Sequence, residues 1–507
     1  MNILFAHPPS QAYRTSIYMP LAMGQLIAFA EQAGHTVVCA DLHNHGMAPE
    51  AIQGFLKKEH FDVCLMSGFA SQVKGMRETI ASIRQTRREL PVVLGGLGVS
   101  YLPETALNYT GADAIATGEG EPMLLPLLDA IAERAAFNEV PSLTFRQRDG
   151  ALIQTPLAPV IEDLDALPLM AYHHFDMDLM VENDFFTDDK RSMVSWSLRG
   201  CAYSCDFCTN SVEKNPGFLN AWPGGRVETK MPGRVRARSG WRVAEEWTLL
   251  KERYGIENIF LADLEFMASR KHVEDVCRAV APLDMSWWVM ARPEVATEEK
   301  LTWMKRSGCH YVNYGIESIS PEICRNIHRS SDLPRITAGI RAARTVGMTA
   351  QVNFIVGLPG ETVESVRDSV EFCRDNDLIY LPTILQPFPG TMIFERYRQR
   401  INLDTLYDDI ADRWDMSWRI AYNFSNMSDR QLLWVRKRAM SLNVIHIWVT
   451  KQRALAWLLS WSVTLGLILF EGALRRYRVG VRHLVRLVLG RANRAAQTRS
   501  APPDAAS

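Results

Sequence analysis

From residue 2 to about residue 135, short apolar runs alternate with amphipathic stretches. Residues 3–6, 36–40, 63–67, 92–95 and 114–117 have the length and composition of buried strands, and helical periodicity fills the gaps, as at 21–32 and 123–134. This alternation predicts an open parallel sheet with helices on both faces, a Rossmann-like α/β domain over residues 1–140. Its ligand crevice would lie at the carboxyl ends of the strands. The residues there are His7-Pro8-Pro9, Ser67-Gly68, Gly95-Gly96 and Gly118-Glu119-Gly120-Glu121. Glycine at three of these four ends would let backbone approach a large ligand, although glycine is also ordinary turn chemistry.

Residues 141–190 read as a connector. The alternation then resumes, with strand-like runs beginning at 193 and recurring at 258–262, 286–291, 311–315, 352–356 and 381–386. About six β/α units over 191–400 predict a partial (β/α) TIM-type barrel with chemistry at the strand carboxyl ends, where Asp263, Glu265, Arg292, Glu317, Ser318, Asn353 and Gln386 fall. Residues 401–490 turn helical and tryptophan-rich, and 491–507 have a disordered composition.

A chain of 507 residues exceeds what one core usually serves, and a net charge of −1 gives no general pull towards nucleic acid. The start of the chain lacks a basic, apolar leader, which predicts a cytoplasmic protein with reduced thiols. Of its nine cysteines, three crowd into Cys201-Ala202-Tyr203-Ser204-Cys205-Asp206-Phe207-Cys208. The spacing CxxxCxxC after a strand brings three thiolates to one centre and leaves one iron of a four-iron cube without a protein ligand. A structural zinc would want a fourth ligand nearby, and the following twenty or so residues offer neither Cys nor His. A disulfide does not suit a reducing compartment.

This motif, with Phe207 before its last cysteine, resembles the radical S-adenosylmethionine superfamily. Tyr314-Gly315-Ile316-Glu317-Ser318, Val356-Gly357-Leu358-Pro359-Gly360-Glu361-Thr362, Arg292 and Gln386-Pro387-Phe388-Pro389-Gly390-Thr391 extend the resemblance from 193 to about 400. It implies a 4Fe-4S cluster on Cys201, Cys205 and Cys208 and S-adenosylmethionine near Glu317, Ser318, Arg292 and Gly357. Asp263 would serve too, although Asp263-Leu264-Glu265 departs from the adjacent aspartates of many relatives. It further implies an electron donor such as flavodoxin or ferredoxin and a small-molecule substrate.

The first 140 residues, with Met19-Pro20-Leu21-Ala22 opening the first helix, resemble the cobalamin-binding domain that precedes many such barrels. That implies cobalamin at Ser67, Gly68, Gly95, Gly96, Gly118 and Glu119. Asp41-Leu42-His43-Asn44-His45-Gly46 matches the DxHxxG pattern of cobalt-ligating histidines. Here it follows the second strand rather than the first, and it reads as an exposed loop.

No charge occurs from 454 to 470, and arginines follow at 475, 476, 478, 482 and 486. That composition suits a helix in the membrane interface, with a full span, for which the run is somewhat short, or a buried packing helix as the alternatives. It hints at a lipid or tetrapyrrole substrate. The functional expectation is C-methylation of an unactivated carbon. The alternatives are the oxidation carried out by the anaerobic magnesium-protoporphyrin monomethyl ester cyclase, a non-catalytic cobalamin sensor, and a barrel whose first domain only shapes the substrate pocket.

Overall fold

The computed structural model describes residues 1–10, 17–181, 190–209, 235–330, 332–413 and 420–448. Seven strands form the first sheet: β1 (Asn2–His7), β2 (Thr36–Asp41), β3 (Val63–Ser67), β4 (Val92–Gly95), β5 (Ala114–Ala116), β6 (Leu143–Arg146) and β7 (Leu152–Gln154). Their order is β2-β1-β3-β4-β5-β6-β7, and β1 to β5 run parallel. Ile3, Phe5, Val63, Leu65 and Val93 enter one apolar layer, while Leu4, Ala6, Cys64, Met66 and Leu94 enter the other. Burial on both faces is why these strands read as unbroken apolar runs.

The segment read as a connector does more than connect. It adds β6 and β7 antiparallel to the sheet edge, strands of four and three residues that fall below the length at which periodicity speaks. Further on, Met170, Tyr172, Phe175 and Met180 enter the core that the first sheet shares with the barrel.

Strand β8 (Ser192–Ser195) starts the second sheet. The short β9 (Leu198–Arg199) and β10 (Arg236–Ala237) pair with each other outside it. Then follow β11 (Asn258–Leu261), β12 (Ser286–Ala291), β13 (Cys309–Glu317), β14 (Thr349–Val356) and β15 (Ile379–Ile384). The parallel order β15-β14-β13-β12-β11-β8 is the expected partial barrel. Trp287, Val289, Val312, Tyr314, Val352 and Phe354 face the helices outside. Their alternates Phe260, Trp288 and Tyr311 lie on the inner face, with Phe260 stacked on Trp288 at 3.9 Å and Trp288 edge-on to Tyr311 at 5.5 Å.

The open edge of β15 is covered by the helix Asp429–Trp448. Tyr380 N donates to Asn443 Oδ1 at 3.1 Å, and Arg436 Nε donates to the Pro382 carbonyl at 3.2 Å. The helix Leu406–Arg413 turns back to the first domain. Tyr407 is buried in that domain's core, and Asp408 accepts from Tyr109 Oη at 2.9 Å and pairs with Lys74 at 3.5 Å. Among the described residues no helix is long and apolar enough to cross a membrane. The segments 454–470 and 491–507 lie outside the described residues.

Trp287 tests the outer core of the barrel. It is fully buried between Trp247 and Phe266, and its indole N–H donates to the Ser307 carbonyl at 2.9 Å. Trp287→Ala is expected to lower unfolding free energy by about 3–5 kcal/mol, read as a fall in the urea midpoint. A loss below about 1 kcal/mol would show that the helices, not this layer, set barrel stability.

Candidate active site at the barrel mouth

The segment carrying Cys201, Cys205 and Cys208 follows β9 with almost no regular structure, so side chains and loop carbonyls hold it. At its entrance, the Asp263 carboxylate accepts from Ser197 N at 2.7 Å, Leu198 N at 2.9 Å and the Ser197 hydroxyl. His272 Nε2 lies 2.8 Å from that same hydroxyl. Burial pulls the His272 pKa down to about 4 and pushes that of Asp263 up to about 6. Neutral His272 therefore donates to the Ser197 oxygen whenever Asp263 is ionised. Asp263 is wholly buried, and its carboxylate is committed to the loop entrance.

At the exit, Asp206 N donates to the Ile327 carbonyl and Ile393 N donates to the Asp206 carbonyl, each at 3.1 Å. The Asp206 carboxylate, also buried, pairs with His328 at 2.7 Å and with Arg396. Cys208 N closes the turn onto the Cys205 carbonyl at 3.1 Å. Cys205 is buried while Cys201 and Cys208 are half-exposed, an arrangement with two thiols at a mouth and one beneath it. Burial raises the Cys205 thiol pKa, against the pull of Arg329 and Arg292.

Behind the loop lies a buried ionic group. Arg292 sits 3.8 Å over the Tyr203 ring of the cysteine loop, pairs with Glu294 at 3.2 Å, and gives its backbone N–H to Glu265 at 2.7 Å. Arg329, a residue with no motif to betray it, donates from Nε to the Ile316 carbonyl at 3.2 Å, bonds the Gly315 carbonyl, and lies 3.7 Å from Glu294. Glu317 adopts a left-handed φ of 60° and folds its Oε1 over Gly315, where a Cβ would come within 2.6 Å. Burial raises its pKa, with Arg329 and Arg292 opposing. Ser318 is different. It is fully buried, and its hydroxyl accepts from Ser320 N at 3.2 Å, a bond that helps build the turn. Gly357, at a φ of 97°, begins a turn whose N–H groups at 357 and 358 both point to the Glu361 carboxylate. Arg292 Nε, Glu294 Oε2, Asn313 Oδ1 and Gln386 Nε2 are buried without hydrogen-bond partners among the described residues. Such atoms fit a ligand that carries both an ammonium and a carboxylate, as S-adenosylmethionine does.

In the first domain, the crevice lies where β1 and β3 diverge to opposite sides. A Cβ at Gly95 would make ordinary contact with Ala116 at 3.7 Å, whereas at Gly118, with a φ of 87°, nothing lies within 4 Å of a Cβ, so Gly118 leaves room for a large ligand. Gly68 and Gly96 are required by the protein itself. A Cβ at 68 would meet Gln72 at 2.6 Å, and one at 96 would meet the Ser67 hydroxyl at 2.7 Å. Phe69 and Leu97 stand exposed on the rim, an apolar border suited to a corrin. The Glu119 carboxylate pairs with Arg236 at 2.8 Å and Arg199 at 3.2 Å in the other domain. The 41–46 segment forms turns, but it is not the exposed loop expected. Asp41, His43 and Asn44 are buried, Asp41 bonds His7 at 2.9 Å, and His43 Nδ1 accepts from Ser10 N at 3.2 Å.

Comparison with known proteins accords with this geometry. Residues 197–373 match the family model described as Radical SAM superfamily, and residues 12–128 match the B12 binding domain. The chain is 28% identical over 406 residues to an uncharacterised methyltransferase of Pyrococcus horikoshii, covering 78% of this chain and 83% of that one. It is 22% identical over 448 residues to the anaerobic magnesium-protoporphyrin IX monomethyl ester cyclase of Rubrivivax gelatinosus, covering 84% and 77% of the two chains. Its fold resembles the radical S-adenosylmethionine methyltransferase of Kitasatospora setae, solved with its tryptophan substrate and an S-adenosylmethionine analogue. There the TM-score is 0.64 at 21% identity, over 78% of this chain and 76% of that one. The chain thus carries a B12-binding domain ahead of a radical SAM domain, and these imply cobalamin, S-adenosylmethionine and a 4Fe-4S cluster.

Two outcomes are expected from the loop anchors. Cys205→Ala is expected to abolish iron retention after anaerobic reconstitution, measured as iron per chain and loss of the cluster absorption; full retention would remove Cys205 as a ligand. For Asp263 the raised pKa means that the folded chain holds this proton more tightly than the unfolded one. Its stabilising contribution is complete below the ordinary carboxylate range and is lost as pH rises through about 6. Asp263→Asn removes that dependence, so the stability of the variant relative to wild type should rise by roughly 2–3 kcal/mol between pH 4 and 7. Parallel stability profiles of the two proteins would overturn the assignment.

Proposed function

We propose that this chain is a cobalamin-dependent radical SAM methyltransferase that adds a methyl group to an unactivated carbon of a lipid-like or tetrapyrrole-like substrate. The observation that carries the reading is the joining of two sites in one core: a loop of three thiols at the barrel mouth, and a glycine-bordered crevice in a domain tied to that loop by ion pairs. When bound, the cofactors supply hydrogen abstraction from the substrate carbon and a methyl group to replace it.

The protein's part is binding and orientation. Cys201, Cys205 and Cys208 would hold the cluster and leave one iron open to S-adenosylmethionine. Arg292 suits the carboxylate of that molecule, and the ammonium suits Glu317 and the unpartnered oxygen of Glu294. Asn313 and Gln386 offer the remaining polar contacts from β13 and the end of β15. Phe260, Trp288 and Tyr311 form an aromatic layer on the inner face of the barrel, which would give an apolar floor to a substrate held at the mouth. An electron donor of the flavodoxin or ferredoxin type would reduce the centre through the side where Cys201 and Cys208 are half-exposed. The charge-free run at 454–470 supports delivery of an apolar substrate at a membrane surface.

The second reading, oxidative cyclisation of a tetrapyrrole, draws on the relative from Rubrivivax gelatinosus. Product mass separates the two. With methyl-labelled S-adenosylmethionine and candidate lipids and tetrapyrroles, methylation yields a product heavier by one labelled CH₂ unit. Oxidation without label incorporation supports the cyclase reading. Cofactor binding with no S-adenosylmethionine cleavage supports a sensor.

A further inference from the structure

Four charged side chains close the seam between the domains. Glu119 accepts from both arms of Arg236, at 3.0 and 2.8 Å, and from Ile161 N at 2.8 Å, and it pairs with Arg199 at 3.2 Å. Glu121, the first residue of the helix Glu121–Ala132, accepts from Arg199 Nη2 at 2.6 Å. The side chains of Glu121 and Arg236 are only 5% and 7% exposed, so water competes little for these bonds. Burial by itself would raise the Glu119 carboxyl, but the Arg236 bonds and the two guanidinium charges hold it below the usual carboxylate range.

The placement of the arginines matters more than the number of bonds. Arg199 lies in β9, two residues ahead of Cys201, and Arg236 lies in β10, which pairs with β9 through Arg236 opposite Arg199. Both therefore belong to the two-stranded unit that leads into the cysteine loop. Glu119 comes from the turn after β5, whose Gly118 borders the crevice, and Glu121 from the helix start that follows it. Cohesion between the domains has other sources: a continuous apolar core, Tyr172 Oη on Glu246 at 2.8 Å, and Asp408 on the first domain. An apolar seam would serve cohesion as well as buried charge does, because desolvation offsets much of the ionic attraction. What an apolar seam lacks is direction, which a planar guanidinium fork supplies.

We infer that Arg199 and Arg236, gripping Glu119 and Glu121, are positioning residues that set the separation and orientation of the cobalamin crevice relative to the cluster loop. The inference rests on the cobalamin-dependent reading above. It assigns the Gly118-Glu119-Gly120-Glu121 segment two tasks: glycine borders the corrin, and the carboxylates steer the loop that holds the cluster.

The test uses the full chain, purified anaerobically with iron and cobalamin and reduced so that cluster and cob(II)alamin are both paramagnetic. Pulsed resonance then reads the distribution of distances between them in wild type, Glu119→Gln/Glu121→Gln and Arg199→Lys. The expected result is near-wild-type iron and corrin content with a broadened or displaced distribution in both variants. S-adenosylmethionine cleaved per methyl transferred should also rise several-fold. Should the double variant fail to fold, Arg199→Lys, which keeps the charge and loses the fork, gives the same readout. An unchanged distribution, or cleavage and transfer falling in equal proportion, overturns the inference and leaves the proposed function standing. A wild-type protein that holds no corrin or no cluster instead overturns the proposed function itself.

Discussion

The structure depends on how a loop without ladder hydrogen bonds of its own is held at one place. A helix satisfies its backbone within itself and a strand through its neighbours, but the cysteine segment must find partners elsewhere. It finds them in backbone groups of neighbouring segments, at Ile327 and Ile393, and its flanks and side chains are fixed by carboxylates. Asp263 takes the backbone at the entrance, Asp206 ties the exit to His328 and Arg396, and Glu121 takes Arg199 between them. Each of these three carboxylates is buried, and each is satisfied by more than one donor or cation. A ligand loop built this way is rigid because moving it would expose several buried charges together.

That rigidity is coupled to the barrel wall through Arg292, which joins Tyr203 in the loop to Glu294 behind it while its own N–H is fixed by Glu265. Arg329 continues the chain of contacts to the end of β13, and so to the left-handed backbone of Glu317. The unusual conformation at 317 and the absence of a side chain at 315 are one feature: the carboxylate occupies the space that any Cβ at 315 would need. A site that must orient a zwitterion gains from such fixed charges, since they need little reorganisation when the ligand arrives.

Much of this was legible in the sequence. The five parallel strands of the first sheet and the six of the barrel announced themselves as apolar runs because both their faces are buried. The cysteine spacing pointed to a cluster because three ligands on one turn have few other uses. Other features left no such trace. The strands Leu143–Arg146 and Leu152–Gln154 are too short for periodicity. Arg329 and Asp206 matter through partners distant in sequence, such as Gly315, Ile327 and Arg396. Asp263, Ser318 and Glu119 stand where family likeness expects ligand contacts, yet their polar atoms are engaged within the protein. Strand-end position told where these residues lie, but not which way they face. The 41–46 segment erred in the opposite sense: polar composition suggested exposure, whereas mutual bonding among His7, Asp41 and Asn44 allows burial.

The use of ion pairs at the domain seam follows from what each kind of contact can specify. Apolar packing between Tyr172, Met180 and the barrel core holds the two domains together but tolerates small slides, because dispersion varies gently with lateral displacement. A bidentate guanidinium–carboxylate pair loses its geometry within a fraction of an ångström and a modest rotation. Placing such pairs between β9–β10 and the turn after β5, and not at the periphery where Asp408 meets Lys74, puts the stiffest contact of the seam beside the two places where cofactors would meet. A reaction between groups held on separate domains needs that stiffness most along the line joining them, because the rate of a positioned encounter falls steeply with misplacement.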